Sequence, residues 1–253
     1  MLKGERRPSG RLSLVQGTMS QDKQELTSRT LADMLTLIQK REYEPGERLP
    51  SERELSERFG VGRAVIREAL SILENLRYLK RRPNSGVYLT SRPEQTSLET
   101  LGLFSELGLS LASDKLAEAL EVRRIIETQA VLLACERRTD EDIQLAESIV
   151  KRFDQAAKEG NVGDLDFEFH MAIFKAAHNT VLTQLVTPFY IMSAARRAIF
   201  FSDPARCKNS NEEHRVLLDC LRSRDGTRAQ RIMFDHIGRV ETKYAELQGN
   251  AVS

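Results

Sequence analysis

The chain has 253 residues, 40% hydrophobic and 30% charged, which leaves room for one large or two modest soluble domains and argues against a disordered chain. No run approaches the roughly 18 consecutive apolar residues of a membrane span, so no membrane partner is expected. The net charge of +1 hides a division: residues 1–92 hold 18 Lys and Arg against 12 Asp and Glu, whereas residues 93–253 hold 20 against 25, so a polyanion is expected to meet the front of the chain.

Residues 1–25 carry Gly, Ser, Pro, Gln and Arg without a sustained apolar period and read as a flexible basic arm. A helix follows, with Leu31, Met34, Leu35 and Ile38 on one face, and it breaks at Pro45-Gly46. Ser51 and Glu54 form a capping box that opens a short helix with Leu55 and Phe59 inward, and Gly60 ends it. After Val61-Gly62 a second helix runs from about Arg63 to Asn75, with Val65, Ile66, Ala69, Leu70 and Leu73 inward: the helix-turn-helix pattern. The segments 78–82 and 87–90 flank Pro83-Asn84-Ser85-Gly86 as a strand, a turn and a strand, forming a β-hairpin wing. Residues 93–112 form a linker with a short apolar segment. Six helices are expected beyond it, over 113–137, 140–159, 164–178, 180–201, 210–223 and 227–247. Capping boxes at Thr139/Asp142, Ser210/Glu213 and Thr227/Gln230 mark three of the starts. The expected fold is mainly α: an N-terminal winged helix-turn-helix over 26–92 and a C-terminal all-α helical bundle over 113–248.

The basic side chains of the front half are grouped. Arg53 opens the first helix of the helix-turn-helix, Arg63 and Arg67 lie one turn apart near the start of the second, and Lys80, Arg81 and Arg82 lead into the wing. A helix in the major groove offers its N-terminal side chains to base edges, with Arg the usual partner of guanine, while other basic groups neutralise phosphates. Any one of these arginines taken singly could equally be part of a solvated helix face, as Arg53-Glu54 and Arg67-Glu68 suggest. The stretch LPSERELSERFGVGRAVIREALSILENLRYLKRRPNSGVYL, residues 49–89, resembles the winged helix-turn-helix of the GntR family of bacterial transcription regulators. The resemblance implies DNA contacts at Arg53, Arg63, Ala64 and Arg67, with the wing tip at Gly86. Two positions depart from the family pattern: Gly62 stands where Ser or Thr is usual, and Ala64 replaces another frequent hydroxyl, so a phosphate contact and a helix cap are in question.

All four histidines lie in the back half. Asp166 and His170 fall one turn apart in the apolar stripe that also holds Phe167, Ile173, Phe174 and Ala177. His214 shares a stripe with Leu217, Leu218 and Leu221, and His236 one with Ala229, Ile232, Met233 and Val240. Three inward histidines and an inward carboxylate want polar partners. Backbone carbonyls or waters could supply them singly, and a divalent metal could satisfy all four, imidazoles suiting zinc, nickel or copper. The order of Asp166 and His170, Glu213-His214 and a late His236 resembles the FCD effector domain of the FadR subfamily of GntR regulators. That resemblance implies a divalent ion, zinc first and nickel or another transition metal next, held by Asp166, His170, His214 and His236. His178 matches no ligand position and reads as a helix-end residue.

Arg123 and Glu127 stand one turn apart on the first bundle helix, either as a plain ion pair or, as the resemblance implies, with Arg123 facing an effector cavity. A guanidinium suits a carboxylate effector, and Arg196 and Arg197 are further candidates for it. No catalytic signature such as GxSxG, HExxH or a phosphate-binding glycine loop is present, so no enzyme is expected and no catalytic residue is assigned. A metal-dependent hydrolase fused to a DNA-binding domain is the alternative from another class, since Asp166 and three histidines could host metal-bound water. Cys135, Cys207 and Cys220, odd in number and widely spaced, suit neither a disulfide framework nor a zinc cage, and LSLV is the only apolar run near the N-terminus. A cytoplasmic location is expected. The reading is a ligand-responsive operator-DNA regulator, a repressor and homodimer, with a metal and a small carboxylate as its ligands.

Overall fold

The computed structural model describes residues 21–157 and 162–249, and the chain divides into two compact units, 1–97 and 98–253. Residues 1–20 of the expected arm and the expected helix end near 159 lie outside the described residues, while Asp22–Glu25 already belong to the first helix.

In the front unit, helix α1 (Gln21–Lys40) buries Leu31, Met34, Leu35 and Ile38 and packs on α3 (Arg63–Asn75). Helix α2 (Glu52–Phe59) starts on a complete capping box: Ser51 Oγ accepts from the Glu54 N–H, and the Glu54 carboxylate accepts from the Ser51 N–H at 2.7 Å. It ends at Gly60, whose φ of 65° is the left-handed conformation that glycine adopts at little cost. Helix α3 buries Val65, Ile66, Ala69, Leu70 and Leu73, the set that a 3.6-residue period selects. Strands β1 (Leu79–Arg82) and β2 (Gly86–Leu89) pair antiparallel, with Leu79 opposite Leu89 and Arg82 opposite Gly86, and Arg48 bridges Tyr88 on the far side of β2. Gly86 is favoured by its backbone, and the exposed Arg48 side chain crowds the same place. The φ of Gly86 is 131°, and a Cβ there would lie 2.9 Å from Arg48 Nε.

The back unit is helical throughout its described residues: α4 (Glu99–Glu106), α5 (Ser113–Arg137), α6 (Asp140–Ala156), α7 (Gly163–Ala176), α8 (Thr180–Met192), α9 (Ala194–Phe200), α10 (Pro204–Ser223) and α11 (Gly226–Gly249). Helix α5 runs against α7 and α11, α6 against α7 and α10, and α10 against α11. Helix α4 lies in the segment expected as a linker. It buries Leu103 and Phe104 and packs on α8, because Leu101, Leu103 and Phe104 give that segment an apolar face of its own, while Leu98 at its start stays exposed.

Three expected starts or spans are corrected. The single helix over 180–201 is two, broken at Ser193, whose hydroxyl bonds the Tyr190 carbonyl while Arg197 donates to the same hydroxyl. Helix α10 begins at Pro204, not Ser210: Asp203 accepts from the Ala205 N–H at 2.8 Å and Pro204 occupies the first helical position, which leaves Ser210 buried in mid-helix. The cap of α11 is Asp225, which accepts from the Arg228 N–H at 3.1 Å, rather than Thr227. Gly226, just inside that start, lets α11 approach α5 closely, since a Cβ there would fall 2.5 Å from Leu132 Cδ1.

Candidate functional site

The front unit presents its basic residues on exposed turns and helix starts. Arg53, Arg63, Ala64 and Arg67 are all exposed, and Arg53 has only a loose surface pair with Glu57 at 3.9 Å. Neither Arg63 nor Arg67 is held by an ion pair among the described residues. No side chain caps α3 at Gly62, and the N–H groups of Val65 and Ile66 turn to the Gly62 carbonyl instead. In the wing, the Arg82 guanidinium lies 4.1 Å from the centre of the Tyr88 ring, and the Tyr88 hydroxyl meets Ser85 Oγ at 2.6 Å, which stiffens the hairpin. Arg81 differs from its neighbours: it bonds Glu52 at 2.9 Å and Glu74 at 3.5 Å, tying the wing to α2 and α3.

In the back unit, ligand atoms of Asp166, His170, His214 and His236 all lie within 4.8 Å of one another, and all four residues are buried. Helix α7 supplies Asp166 and His170 one turn apart, α10 supplies His214, and α11 supplies His236. His170 Nε2 is 3.2 Å from His236 Nε2 and 3.7 Å from Asp166 Oδ1, while His214 Nε2 is 3.5 Å from the same carboxylate oxygen. His214 stacks on Phe169 with ring centres 4.1 Å apart and meets Phe153 edge-on, and neither of its ring nitrogens has a hydrogen-bond partner. Burial, with His236 and His170 adding to it, pushes the His214 imidazole well below its ordinary pKa; burial also lowers that of His236. Both shifts favour the neutral imidazole, the form that binds a cation.

A layer of polar groups surrounds the cluster. His170 Nδ1 lies 2.5 Å from Glu127 Oε2, and His236 Nδ1 lies 2.7 Å from Glu213 Oε2. Glu127 Oε1 accepts from Arg123 Nε at 2.5 Å and from the Tyr190 hydroxyl at 2.7 Å. Burial would raise the Glu127 carboxyl, but His170 and then Arg123 beside it hold it well below the usual carboxylate range. Burial pushes the Tyr190 phenol well above its ordinary value, so it stays protonated and donates. Tyr190 is absent from the sequence-based candidates: it sits in the apolar run of α8, and nothing in its spacing connects it to Glu127, 63 residues away. Glu127 and Glu213 are visible in sequence only as an ion-pair partner and as part of a capping box.

The structure separates the three effector candidates. Arg123 is buried and adjoins the cluster through Glu127, with its Nη2 donating to the Tyr190 hydroxyl at 3.1 Å. Arg197 is buried and donates to the Tyr190 carbonyl and Ser193 Oγ, and Arg196 is half-buried and donates to the Met192 carbonyl. His178, at a left-handed φ of 48°, bonds Asp142 of the α6 capping box at 2.8 Å, away from the cluster. A cleft of about 300 Å³ is lined by Glu213 and His236 at the edge of the cluster, with Arg206 and Arg239 beside them.

Residues 26–89 match the model of bacterial regulatory proteins of the gntR family, and residues 118–239 match the FCD domain. The HTH-type transcriptional repressor NanR of Cronobacter sakazakii is 32% identical over 81% of this chain and 79% of its own length. The galactonate operon transcriptional repressor of Escherichia coli is 28% identical, over 81% of this chain and 90% of its own. A solved structure of Lar, which controls the expression of the Listeria monocytogenes agr system, shares the fold with a TM-score of 0.63, covering 91% of this chain and 100% of that one at 15% identity. Among the described residues no helix is long and apolar enough to cross a membrane. The two matched regions fall on the winged helix-turn-helix and on the helical bundle around the histidine cluster, and the chain belongs to the FadR-like branch of the GntR family of bacterial transcription regulators, not to a family of enzymes.

Proposed function

We propose that this protein is a cytoplasmic, homodimeric repressor that reads operator DNA and responds to a small carboxylate held beside a divalent metal ion. On the DNA side, Arg63 and Arg67 reach base edges from the start of α3, Arg53 meets the backbone from α2, and Ala64 and the Gly86 turn allow close approach. One winged helix covers a half-site, so a two-fold dimer suits paired half-sites. The arm and wing add positive charge for phosphates.

The observation that carries the ligand side is the His214 imidazole, wholly buried, without a partner at either nitrogen and turned toward Asp166, His170 and His236. Leaving such a group unsatisfied costs about 1–3 kcal/mol, and a divalent ion would answer the His214 nitrogen that faces Asp166 together with the other two imidazoles and the Asp166 charge. Three imidazoles and one carboxylate suit zinc first, with nickel or another transition metal also fitting. When bound, the ion would supply a positive centre for an anionic effector. Arg123, one residue removed from the cluster through Glu127, offers a second positive group for its carboxylate; Arg196 and Arg197 lie further back, on backbone carbonyls. The name of the galactonate operon repressor fits this reading, galactonate being a hydroxy acid.

The test is to select operator fragments from genomic DNA with purified protein, then to titrate them with hydroxy acids, with and without a chelator. Selective binding that shifts with a carboxylate only while metal is present is expected. Selective binding indifferent to both metal and every carboxylate would overturn the ligand half, and an absence of selective binding would overturn the DNA half.

A further inference from the structure

Two of the three clustered imidazoles are backed by a carboxylate, and the third is not. His170 Nδ1 faces Glu127 Oε2 at 2.5 Å and His236 Nδ1 faces Glu213 Oε2 at 2.7 Å, whereas neither nitrogen of His214 is hydrogen-bonded, no carboxylate stands behind its Nδ1, and its ring is held by stacking on Phe169. An ionised carboxylate only accepts hydrogen bonds, so each of these contacts calls for a proton on Nδ1. The Nε2 atoms of His170 and His236 then face one another at 3.2 Å. Two lone pairs at that separation repel unless a positive species lies between them, either a proton that makes one ring an imidazolium or a metal ion. The two carboxylates thus aim both lone pairs at a position suited to a cation.

We infer that Glu127 and Glu213 are positioning residues that fix the Nδ1–H tautomers of His170 and His236, so that both Nε2 lone pairs are aimed at the shared centre. The inference rests on the metal reading above but concerns residues outside the four ligands. Partners that orient a ligating imidazole typically change metal affinity by about 10–100-fold when removed.

Glu127 is itself held in place. Its Oε1 takes hydrogen bonds from Arg123 Nε and the Tyr190 hydroxyl, which leaves Oε2 for His170 alone. This makes Glu127→Gln a sharp variant. An amide has one oxygen, and the two donors on the Arg123 side claim it. The amide NH2 then faces His170 Nδ1 and calls for an acceptor there, moving the ring proton to Nε2, where it blocks the metal. The variant keeps the shape of the side chain and reverses the instruction it gives. Glu213 is similarly placed, with Arg239 on its other oxygen, but it is 21% exposed, so water can relax its contact.

The experiment records nitrogen-15 correlation spectra of the histidine rings in the metal-free full-length protein at mildly alkaline pH, and measures Zn2+ affinity by competition with a chromophoric chelator. Wild type is expected to show protonated Nδ1 at His170 and His236. E127Q is expected to move the His170 proton to Nε2 and to weaken Zn2+ binding by about 10–100-fold, with a smaller loss for E213Q. Nε2–H tautomers at both histidines in wild type, or an E127Q protein with unchanged tautomer and affinity, would overturn the inference. A wild type that shows Nδ1–H at both rings yet refuses Zn2+ supports the positioning role and strikes the metal reading alone. Should E127Q not fold, E213Q carries the same test at His236.

Discussion

In the helix-turn-helix the groups that would meet DNA stand clear of the fold, whereas in the FCD domain the groups that would meet a ligand are part of its interior. Arg53, Arg63 and Arg67 are exposed, and the one ion pair among them within a helix is the loose surface contact of Arg53 with Glu57. Asp166, His170, His214, His236, Arg123 and Glu127 are each 4% exposed or less. The His170 and His214 rings touch three apolar clusters among the described residues of the back unit, through Phe169, Tyr190 and Phe153. A surface reader can change its specificity residue by residue. A buried site cannot be altered without disturbing the packing that holds it.

The comparison breaks most easily at Arg123. Arg123→Ala removes one partner of the buried Glu127 carboxylate, and breaking a buried pair on one side typically costs about 3–5 kcal/mol. The expected result is a large loss of stability in urea or thermal unfolding of the back unit; a loss below about 1 kcal/mol would mean that water reaches Glu127 and the site is less buried than described.

Arg63→Ala tests the opposite half. Lost base contacts cost about 1–3 kcal/mol of discrimination, while an exposed change leaves stability within about 0.5 kcal/mol. Operator titration should therefore show a selective loss with an unchanged unfolding curve. Arg53→Ala and Arg67→Ala should weaken binding less. Wild-type binding in all three variants would remove α2 and α3 from DNA recognition.

The smallest expected effect lies at Asp142, which joins the α6 cap to His178. Burial would raise its carboxyl, but the Thr139 backbone N–H and then His178 hold it below the ordinary value of 3.8. The folded form thus binds its proton less readily than the unfolded one, so its contribution is full above that ordinary value and fades as pH falls through the lower folded value. Asp142→Asn should cost about 0.5–2 kcal/mol near neutrality, and the difference from wild type should shrink below about pH 4. A difference that grew in acid would contradict the sign.

The same contrast explains what the amino-acid order reveals. The Ser51/Glu54 box, the Gly60 turn, the stripe of α3 and the Gly86 wing are local, so residues within a few positions of one another specify them. The four candidate ligands are legible because each lies in an apolar stripe that must face inward. Tyr190 and the roles of Glu127 and Glu213 are not, since they depend on contacts between residues 23 to 63 positions apart. The break at Ser193 and the start of α10 were hidden for another reason: an apolar run and a Ser210/Glu213 pair resemble continuation and start signals, while Arg197 bonds the Tyr190 carbonyl, Ser193 Oγ and, from α7, the Gly163 carbonyl, and the stronger Asp203-Pro204 cap overrides the later start.

The central claim is that a buried cluster, not a surface patch, receives the signal, and elemental analysis tests it most directly. Protein dialysed without chelator should carry about one divalent ion per chain, released in acid as the imidazoles take up protons. His214→Ala, which removes the unpartnered ring, should lose that ion and the response to carboxylates while keeping operator binding. Metal-free wild type that resists reloading, or equal metal in the His214→Ala protein, would contradict the account.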